Sequence, residues 1–236
     1  MRIAALYDVH GNLPALRAVL DEVEREDVDT IVSGGDVVWG PMPLECLERL
    51  RTMDAQFVRG NADRDVVGGD DPIDRFAAGR LTDEQSIFLA SWPLSLEFDV
   101  DGVGRVLFCH ATPRSDEEIV TRLTPDDEVA EILAGMETRC VVVGHTHVQF
   151  DRHVPGSPRL VNAGSVGMPY EGDPDARWAL LGPDVELRKT PYDIEAAIAK
   201  IEATAMPQAE RMVENALRGR ISAEEATSFW EDQRRV

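Results

Sequence analysis

The sequence predicts an α/β fold, and three observations carry that expectation. Short apolar runs with β character alternate with amphipathic helical stretches over residues 2–61. Between residues 95 and 190 short strands follow one another closely, as in a second sheet. Beyond Pro191 the chain reads as helical. The first pattern argues for βαβ units with parallel pairing, because parallel neighbours need a crossover connection and a helix usually supplies it.

Each element follows from local chemistry. "RIAALYD" (2–8) is an apolar run ending in polar residues, a first strand. Asn12 is placed to cap the helix behind it and Pro14 sits in that helix's first turn. Leu13, Leu16, Val19, Leu20 and Val23 then recur on one face of the helical period. "DTIVSGGD" is a second strand, Leu44, Leu47, Leu50 and Met53 mark a second helix, and "AQFVRGN" is a third strand. The Gly- and Asp-rich "DRDVVGGDDPIDRFAAG" reads as a loop. Thr82 and Gln85 form a capping box that opens a helix running to Trp92. "SLEFDV-DGVG-RVLFCH" reads as a hairpin around a Gly-containing turn. Thr124 and Pro125 start another helix, and "RCVVVGH" is a strand. "RLVNAGS", "RWALLG" and "VELRKT" are short strands expected in the second sheet. Ser222 and Glu225 cap the last helical segment. The break near Pro191 divides the chain into an α/β unit (1–190) and a helical C-terminal extension (191–236) packed on it.

Composition narrows the classes of function. At 236 residues with 43% hydrophobic and 29% charged residues, the chain can bury a full core. The amino terminus carries no signal peptide and no stretch approaches the ~20 apolar residues of a membrane span, so a cytoplasmic protein is expected. A net charge of −20 disfavours nucleic acid and anionic membranes as partners. It leaves room for a local positive site that attracts a small phosphorylated substrate. Cys46, Cys109 and Cys140 are odd in number and set in apolar runs, so they read as buried reduced thiols rather than a disulfide framework.

The chemistry lies where the strands end. In open α/β sheets functional groups occupy the loops at the carboxyl ends of strands. Here those loops offer Asp8 and His10 ("DVHGN"), Asp36 ("GGD"), Asn61 and Asp63 ("RGNAD"), His110, and His145 and His147 ("GHTH"). If those segments stay extended, residues i and i+2 point the same way, so Asp8 would converge with His10 and His145 with His147. Seven candidate ligands, Asp8, His10, Asp36, Asn61, His110, His145 and His147, are too many for one tetrahedral ion and a sensible number for two. Imidazole and oxygen donors without thiolate favour manganese first, with iron, zinc or nickel also compatible. Two divalent cations against the two charges of Asp8 and Asp36 leave the site near +2, which suits a phosphate ester and a bridging hydroxide. Asp36 is the natural bridge, since a carboxylate has two oxygens to share. His153 lies outside these motifs and reads as surface or packing.

"DVHGN", "GGDVVWGP", "RGNAD", "FCHA" and "GHTH" stand in the order D-x-H, G-D, G-N-x-D, H, G-H-x-H. That order resembles the calcineurin-like metallophosphoesterase family over residues 1–189, and the tail resembles that of a small bacterial and archaeal branch. The resemblance implies a four-layer α/β/β/α sandwich of two mixed β-sheets flanked by helices. It implies one metal held by Asp8, His10, Asp36 and His147, and another by Asp36, Asn61, His110 and His145. It implies a phosphatase or phosphodiesterase in which a metal-bridging hydroxide attacks phosphorus, with His10, Asp63 and Asn61 assisting. Asn12, Asn61 and Arg64 are the expected substrate contacts.

One position departs from the pattern. Many family members carry histidine where this chain has Ala62, and that histidine is proposed to assist the leaving group. General-acid assistance is worth ~10²–10⁴-fold, so the methyl predicts a preference for good leaving groups, or a proton from other residues or the substrate. A different class of function keeps the same fold: a catalytically weak scaffold or regulatory protein that binds a protein partner. Retention of every ligand position favours the enzyme. The acidic helical tail has two readings, a homodimer contact or a cover for a sheet edge.

Overall fold

The structure, a computed structural model, describes residues 1–234. Its frame is two mixed five-stranded sheets flanked by nine α-helices among the described residues. In the first sheet β1 (Ile3–Leu6), β2 (Thr30–Ser33) and β3 (Gln56–Phe57) run parallel, linked through α1 (Leu13–Val23) and α2 (Pro43–Thr52). The predicted caps hold: the Asn12 side chain accepts the Ala15 N–H at the start of α1, and Pro14 lies in its first turn. The second sheet is built from β4 (Ser95–Val100), β5 (Gly104–Cys109), β6 (Cys140–Val143), β7 (Phe150–Arg152) and β8 (Arg159–Asn162), in the order β4-β5-β6-β8-β7.

Two strands fall elsewhere than the sequence predicts. β9 (Ala176–Leu181) and β10 (Val185–Thr190) form a hairpin that joins the first sheet, with β9 antiparallel to β1 and Ala179 opposite Ala5. Strand character is local, whereas the choice of sheet depends on which buried edge the chain meets. All six residues of β9 are buried, so it needs a covered place in the centre of a sheet, and β1 supplies that edge.

Alternation along the strands sorts side chains into layers. Ile3, Ala5 and Tyr7 point between the sheets to meet Val106, Phe108, Cys140 and Val142. Ala4 and Leu6 point the other way, onto Leu16, Val19 and Leu20 of α1. In the second sheet Leu107, Cys109, Val141 and Val143 face outward to Val129 of α6 (Asp126–Ile132). Strands clothed on both faces read as unbroken apolar runs, which is why "CVVV" shows no alternation. The outcome is the four-layer α/β/β/α sandwich. The three cysteines are buried free thiols, one in each of the three apolar layers.

The segment expected as a loop is helical instead. α3 (Asn61–Gly68) and α4 (Pro72–Ala78) are separated by Gly69, Asp70 and Asp71, and Asp71 caps α4 by accepting the Ile73 N–H, with Pro72 in its first turn. Burial of Val66, Ile73 and Ala77 on the core outweighs the weak helical propensity of Gly and Asp. α5 (Asp83–Ala90) begins at the predicted Thr82–Gln85 capping box and stops two residues short of Trp92, which stacks on Phe57 at 4.6 Å.

The tail comprises α7 (Ile194–Glu202), α8 (Ala209–Met212), a π-helical turn over Val213–Leu217 and α9 (Ala223–Arg234), the last opened by Ser222 and Glu225 bonding each other's backbone N–H. Ile198, Ile201, Met212, Val213 and Leu217 belong to the same apolar layer as α1. No described helix is long and apolar enough to cross a membrane.

Candidate active site

Loops from both sheets meet along one edge of the sandwich. The Asp8 N–H bonds Gly35 O at 3.1 Å and the His10 N–H bonds Asp36 O at 2.8 Å, joining the ends of β1 and β2. Gly144 N–H bonds His110 O at 2.8 Å, joining β5 to β6. The His145 N–H crosses between the sheets to Asp8 Oδ2 at 2.9 Å. Asp8, His10, Asp36, Asn61, His110, His145 and His147 therefore come together, all from strand ends as expected.

The local reason differs from the one the spacing suggested. Asp8, His10, Asp36, His145 and His147 are not extended; all five have left-handed backbone, with φ between 45° and 65°. A left-handed residue turns the chain sharply, so the i, i+2 rule does not apply. His10 does face Asp8, at 3.9 Å from Nε2 to Oδ1, but His145 and His147 diverge. His147 Nε2 lies 3.4 Å from Asp8 Oδ1 and 3.1 Å from His10 Nε2, whereas the His145 ring meets that of His110. Left-handed geometry costs roughly 1–3 kcal/mol per non-glycine residue, a sum comparable to a whole domain's stability. The zipper of backbone hydrogen bonds must over-determine it, and glycines let the loops close. A Cβ at Gly60 would lie 2.1 Å from Asp36 Oδ1, and one at Gly144 would lie 2.4 Å from Asp8 Oδ2.

The imidazoles are held in one tautomer. Nδ1 of His10, His110 and His147 faces the backbone carbonyls of Trp39, Gly34 and Met168 at 3.2, 2.9 and 2.8 Å. A carbonyl only accepts, so each Nδ1 carries the proton and each Nε2 turns a lone pair inward. Those lone pairs meet two carboxylate oxygens. Asp36 Oδ2 lies 3.6 Å from His10 Nε2 and 3.5 Å from His110 Nε2, while its Oδ1 accepts the Ala62 N–H at 2.9 Å. Asp8 Oδ1 is fully buried and has no hydrogen-bond partner. Asn61 sets one terminal amide atom 3.1 Å from both His110 Nε2 and His145 Nδ1. As nitrogen that atom donates to two lone pairs; as oxygen it completes a cluster of acceptors.

Acceptors facing acceptors repel, and one buried unpaired polar group already costs about 1–3 kcal/mol, more if charged. A cation removes that cost, so the residues present fit divalent metals. Asp8, His10 and His147 form one ligand triple within reach of a single ion, and Asp8, Asp36 and His110 another.

Electrostatics divide the imidazoles: burial would lower His110, but Asp36 and Asp8 raise it above its ordinary value, while the other shifted histidines go down. Burial, reinforced by His147 for one and His110 for the other, holds His10 and His145 down at about 3, so both are neutral at pH 7. Burial would raise Asp8, but His147, His110 and His10 hold it below the usual carboxylate range. Burial pushes Asp36 up to about 7, with Asp8 and Asp63 adding to the rise and His110 opposing it.

The cluster floors a cleft of about 290 Å³ lined also by Trp39, Ala62, Asp65, Asp74, Met168, Tyr170 and Trp230. The sequence profile of the calcineurin-like phosphoesterase superfamily domain matches residues 1–182 of this chain, a span that contains all of these loops. The chain belongs to the calcineurin-like phosphoesterase superfamily. MJ0912 of Methanocaldococcus jannaschii is a relative at 31% identity over 235 residues, covering 87% of this chain and 94% of that protein. A metallophosphoesterase from Sphaerobacter thermophilus superposes with a TM-score of 0.75 at 30% identity, covering 93% of this chain and all of that one. PH1004 from Pyrococcus horikoshii shares the fold, with a TM-score of 0.75 at 19% identity over 90% of this chain and 96% of its own.

Asp63 is buried beneath the cleft, where its carboxylate accepts N–H groups from Asp36, Val37, Val38 and Gly60. It orders the Asp36 loop and does not line the cleft. Two expected substrate contacts are engaged elsewhere. Arg64 pairs with Asp65, Asp116 and Glu117, so its charge is already neutralised. Asn12 is fully buried, caps α1, and donates to Gly167 O and the Tyr192 hydroxyl. Trp39 stands edge-on to His10 at 5.4 Å and Tyr170 stacks on His147 at 4.9 Å, so both aromatics wall the site. Trp230 was not foreseen: its ring lies 5.4 Å from that of His145 and its indole donates to Thr146 O at 3.0 Å. An adjacent "FW" aromatic pair in a charged helical segment was the available signal. Asp65 and Asp74 were missed because their segment reads as loop.

Proposed function

We propose that this chain is a metal-dependent phosphoric ester hydrolase acting on a small phosphorylated substrate at two divalent cations. The observation that carries the reading is the convergence of buried carboxylates and imidazoles, with Asp8 Oδ1 left without a hydrogen-bond partner, on the floor of an open cleft. His10, His147, Asp8 and Asp36 would hold one cation, and Asp36, Asn61, His110 and His145 the other. Manganese is the first choice for this thiolate-free set. Bound there, the cations would activate water and neutralise phosphate charge. Asp36, with Oδ2 3.6 Å from His10 Nε2 and 3.5 Å from His110 Nε2, would be shared between the two cations; Asp8 Oδ1, 3.9 Å from each of those nitrogens, lies beside it. Three buried free cysteines support a reducing, cytoplasmic setting.

Ala62 offers no proton to the leaving group, and Asp74 is the proposed substitute. It lines the same cleft, and burial, with help from Asp71 and Asp65, raises its carboxyl above the usual value so that a proton is retained longer. Trp39, which lines the same cleft, works against that rise.

Metal-stripped protein given Mn²⁺ should hydrolyse p-nitrophenyl phosphate or its bis ester, and Asp36→Asn should lose at least about 10³-fold. Protein that binds metal yet leaves both esters intact at every metal tested would count against the hydrolase.

A further inference from the structure

The cleft does not end at the metal ligands. It shares Trp39, Met168 and Tyr170 with a second cavity of about 340 Å³, and Tyr170 and Trp230 with a third of about 540 Å³. Tyr170 lines all three, so the three cavities adjoin from the candidate metal cluster along the C-terminal extension, and together they make up a groove. One wall is α8 and the π-helical turn, which bring Arg211 and Asn215; the other is α9, which brings Phe229 and Trp230. A π-turn inserts an extra residue into the helical repeat and is often kept where a side chain must be re-aimed.

The chemistry of this groove is not that of a solvated tail. Phe229 is 57% exposed although it is a large aromatic, and its ring meets Trp230 edge-on at 5.4 Å. Arg211 makes no ion pair among the described residues and bonds only the neutral Gln208 side chain; its charge is felt at the Tyr170 hydroxyl. Arg220, by contrast, is paired with Glu214. In a chain of net charge −20, a guanidinium without an ion pair that lines one cavity with the exposed Phe229 and the half-buried Tyr170 and Trp230 is suited to an anionic, planar ligand, although Glu225 lines that cavity too. Aliphatic partners would need neither the flat faces nor the cation.

We propose that the groove binds the nucleoside part of a phosphate ester, with the base against Tyr170, Phe229 and Trp230 and with Arg211 and Asn215 hydrogen-bonding its polar groups. The proposal rests on the phosphoesterase reading of the adjoining cluster and adds the class of substrate. It makes the extension the part of the chain that selects what is hydrolysed. A volume of about 540 Å³ lies within the usual range of small-molecule sites, about 300–1,000 Å³.

Calorimetry on Mn²⁺-loaded full-length protein tests it with adenosine 5′-monophosphate, ribose 5-phosphate and adenosine. The nucleotide should bind about tenfold tighter than the sugar phosphate, the order that stacking of one base supplies. Phe229→Ala should close most of that gap and Arg211→Ala part of it, with ribose 5-phosphate affinity unchanged in both. Equal affinity for the two phosphates, or a gap untouched by Phe229→Ala, would overturn the groove while leaving the hydrolase intact. If neither phosphate binds, adenosine decides: binding that falls in Phe229→Ala keeps the groove and sinks the hydrolase, and no such binding sinks both.

Discussion

At the scale of single residues, Asp63 shows how a site is held by groups that never touch substrate. Its buried carboxylate accepts four N–H groups that fix the Asp36 loop. Asp63→Asn keeps one acceptor oxygen and turns the other into a donor facing donors. The loss is expected at about 3 kcal/mol. For a chain of this length that lowers the melting temperature by roughly 6–12 °C, with weaker metal binding alongside. A variant melting within a degree of wild type would contradict the role. Asp74 is tested through the leaving group. Asp74→Asn should slow hydrolysis of alkyl phosphates by about 10²-fold and of p-nitrophenyl phosphate by much less, because only the poorer leaving group needs a proton. Equal slowing of both would assign Asp74 to structure alone. At this scale the sequence was most legible: all seven expected ligands come together, because each sits in a short motif at a strand end. What it concealed was the backbone. Left-handed turns at Asp8, His145 and His147 arise from hydrogen bonds across loops far apart in sequence, and no local pattern encodes them.

At the scale of elements, α9 ties the extension to the site. The buried Glu231 accepts hydroxyl donors from Thr121 at 2.6 Å and Thr124 at 2.9 Å and pairs with Arg234 at 2.9 Å. Burial alone would raise Glu231, but Arg234 and the two threonines hold its carboxyl below its ordinary value of 4.5. A depressed carboxyl contributes stability that is present above the unfolded-state value and lost as pH falls through the folded one. Amide-exchange protection of α9 should therefore decline on acidification from about pH 5 downward, and Glu231→Gln should start lower and vary less. A wild-type α9 whose protection is flat down to pH 3 would contradict this. Helix starts were legible where a side chain caps them, as at Asn12, Thr82 and Ser222. α3 and α4 were not, because Gly and Asp mask a helix that buried Val66, Ile73 and Ala77 enforce. The placement of β9 and β10 was not legible either, since pairing with β1 spans most of the chain.

At the scale of the whole molecule, two sheets and their flanking helices bring loops from opposite halves of the chain to one edge. We propose that the tail from residue 191 to residue 234 belongs to that assembly rather than forming an independent unit. Ile198, Ile201, Met212, Val213 and Leu217 share a layer with Leu16, Val19 and Leu20. Each such side chain is worth about 1.5–3 kcal/mol when buried, so together they rival a domain's net stability of about 5–15 kcal/mol. A chain ending at residue 190 should aggregate or melt without cooperativity; one that folds and melts as the full chain does would contradict the proposal. On the proposed reading, two cations share the convergence of Asp8, Asp36, Asn61 and four histidines. The measurement that tests it most directly is metal stoichiometry, taken by elemental analysis and calorimetric titration of stripped protein with Mn²⁺. Wild type should bind two equivalents, and His147→Ala and His110→Ala one tight equivalent each. A single equivalent in wild type, or two retained in both variants, would contradict the account.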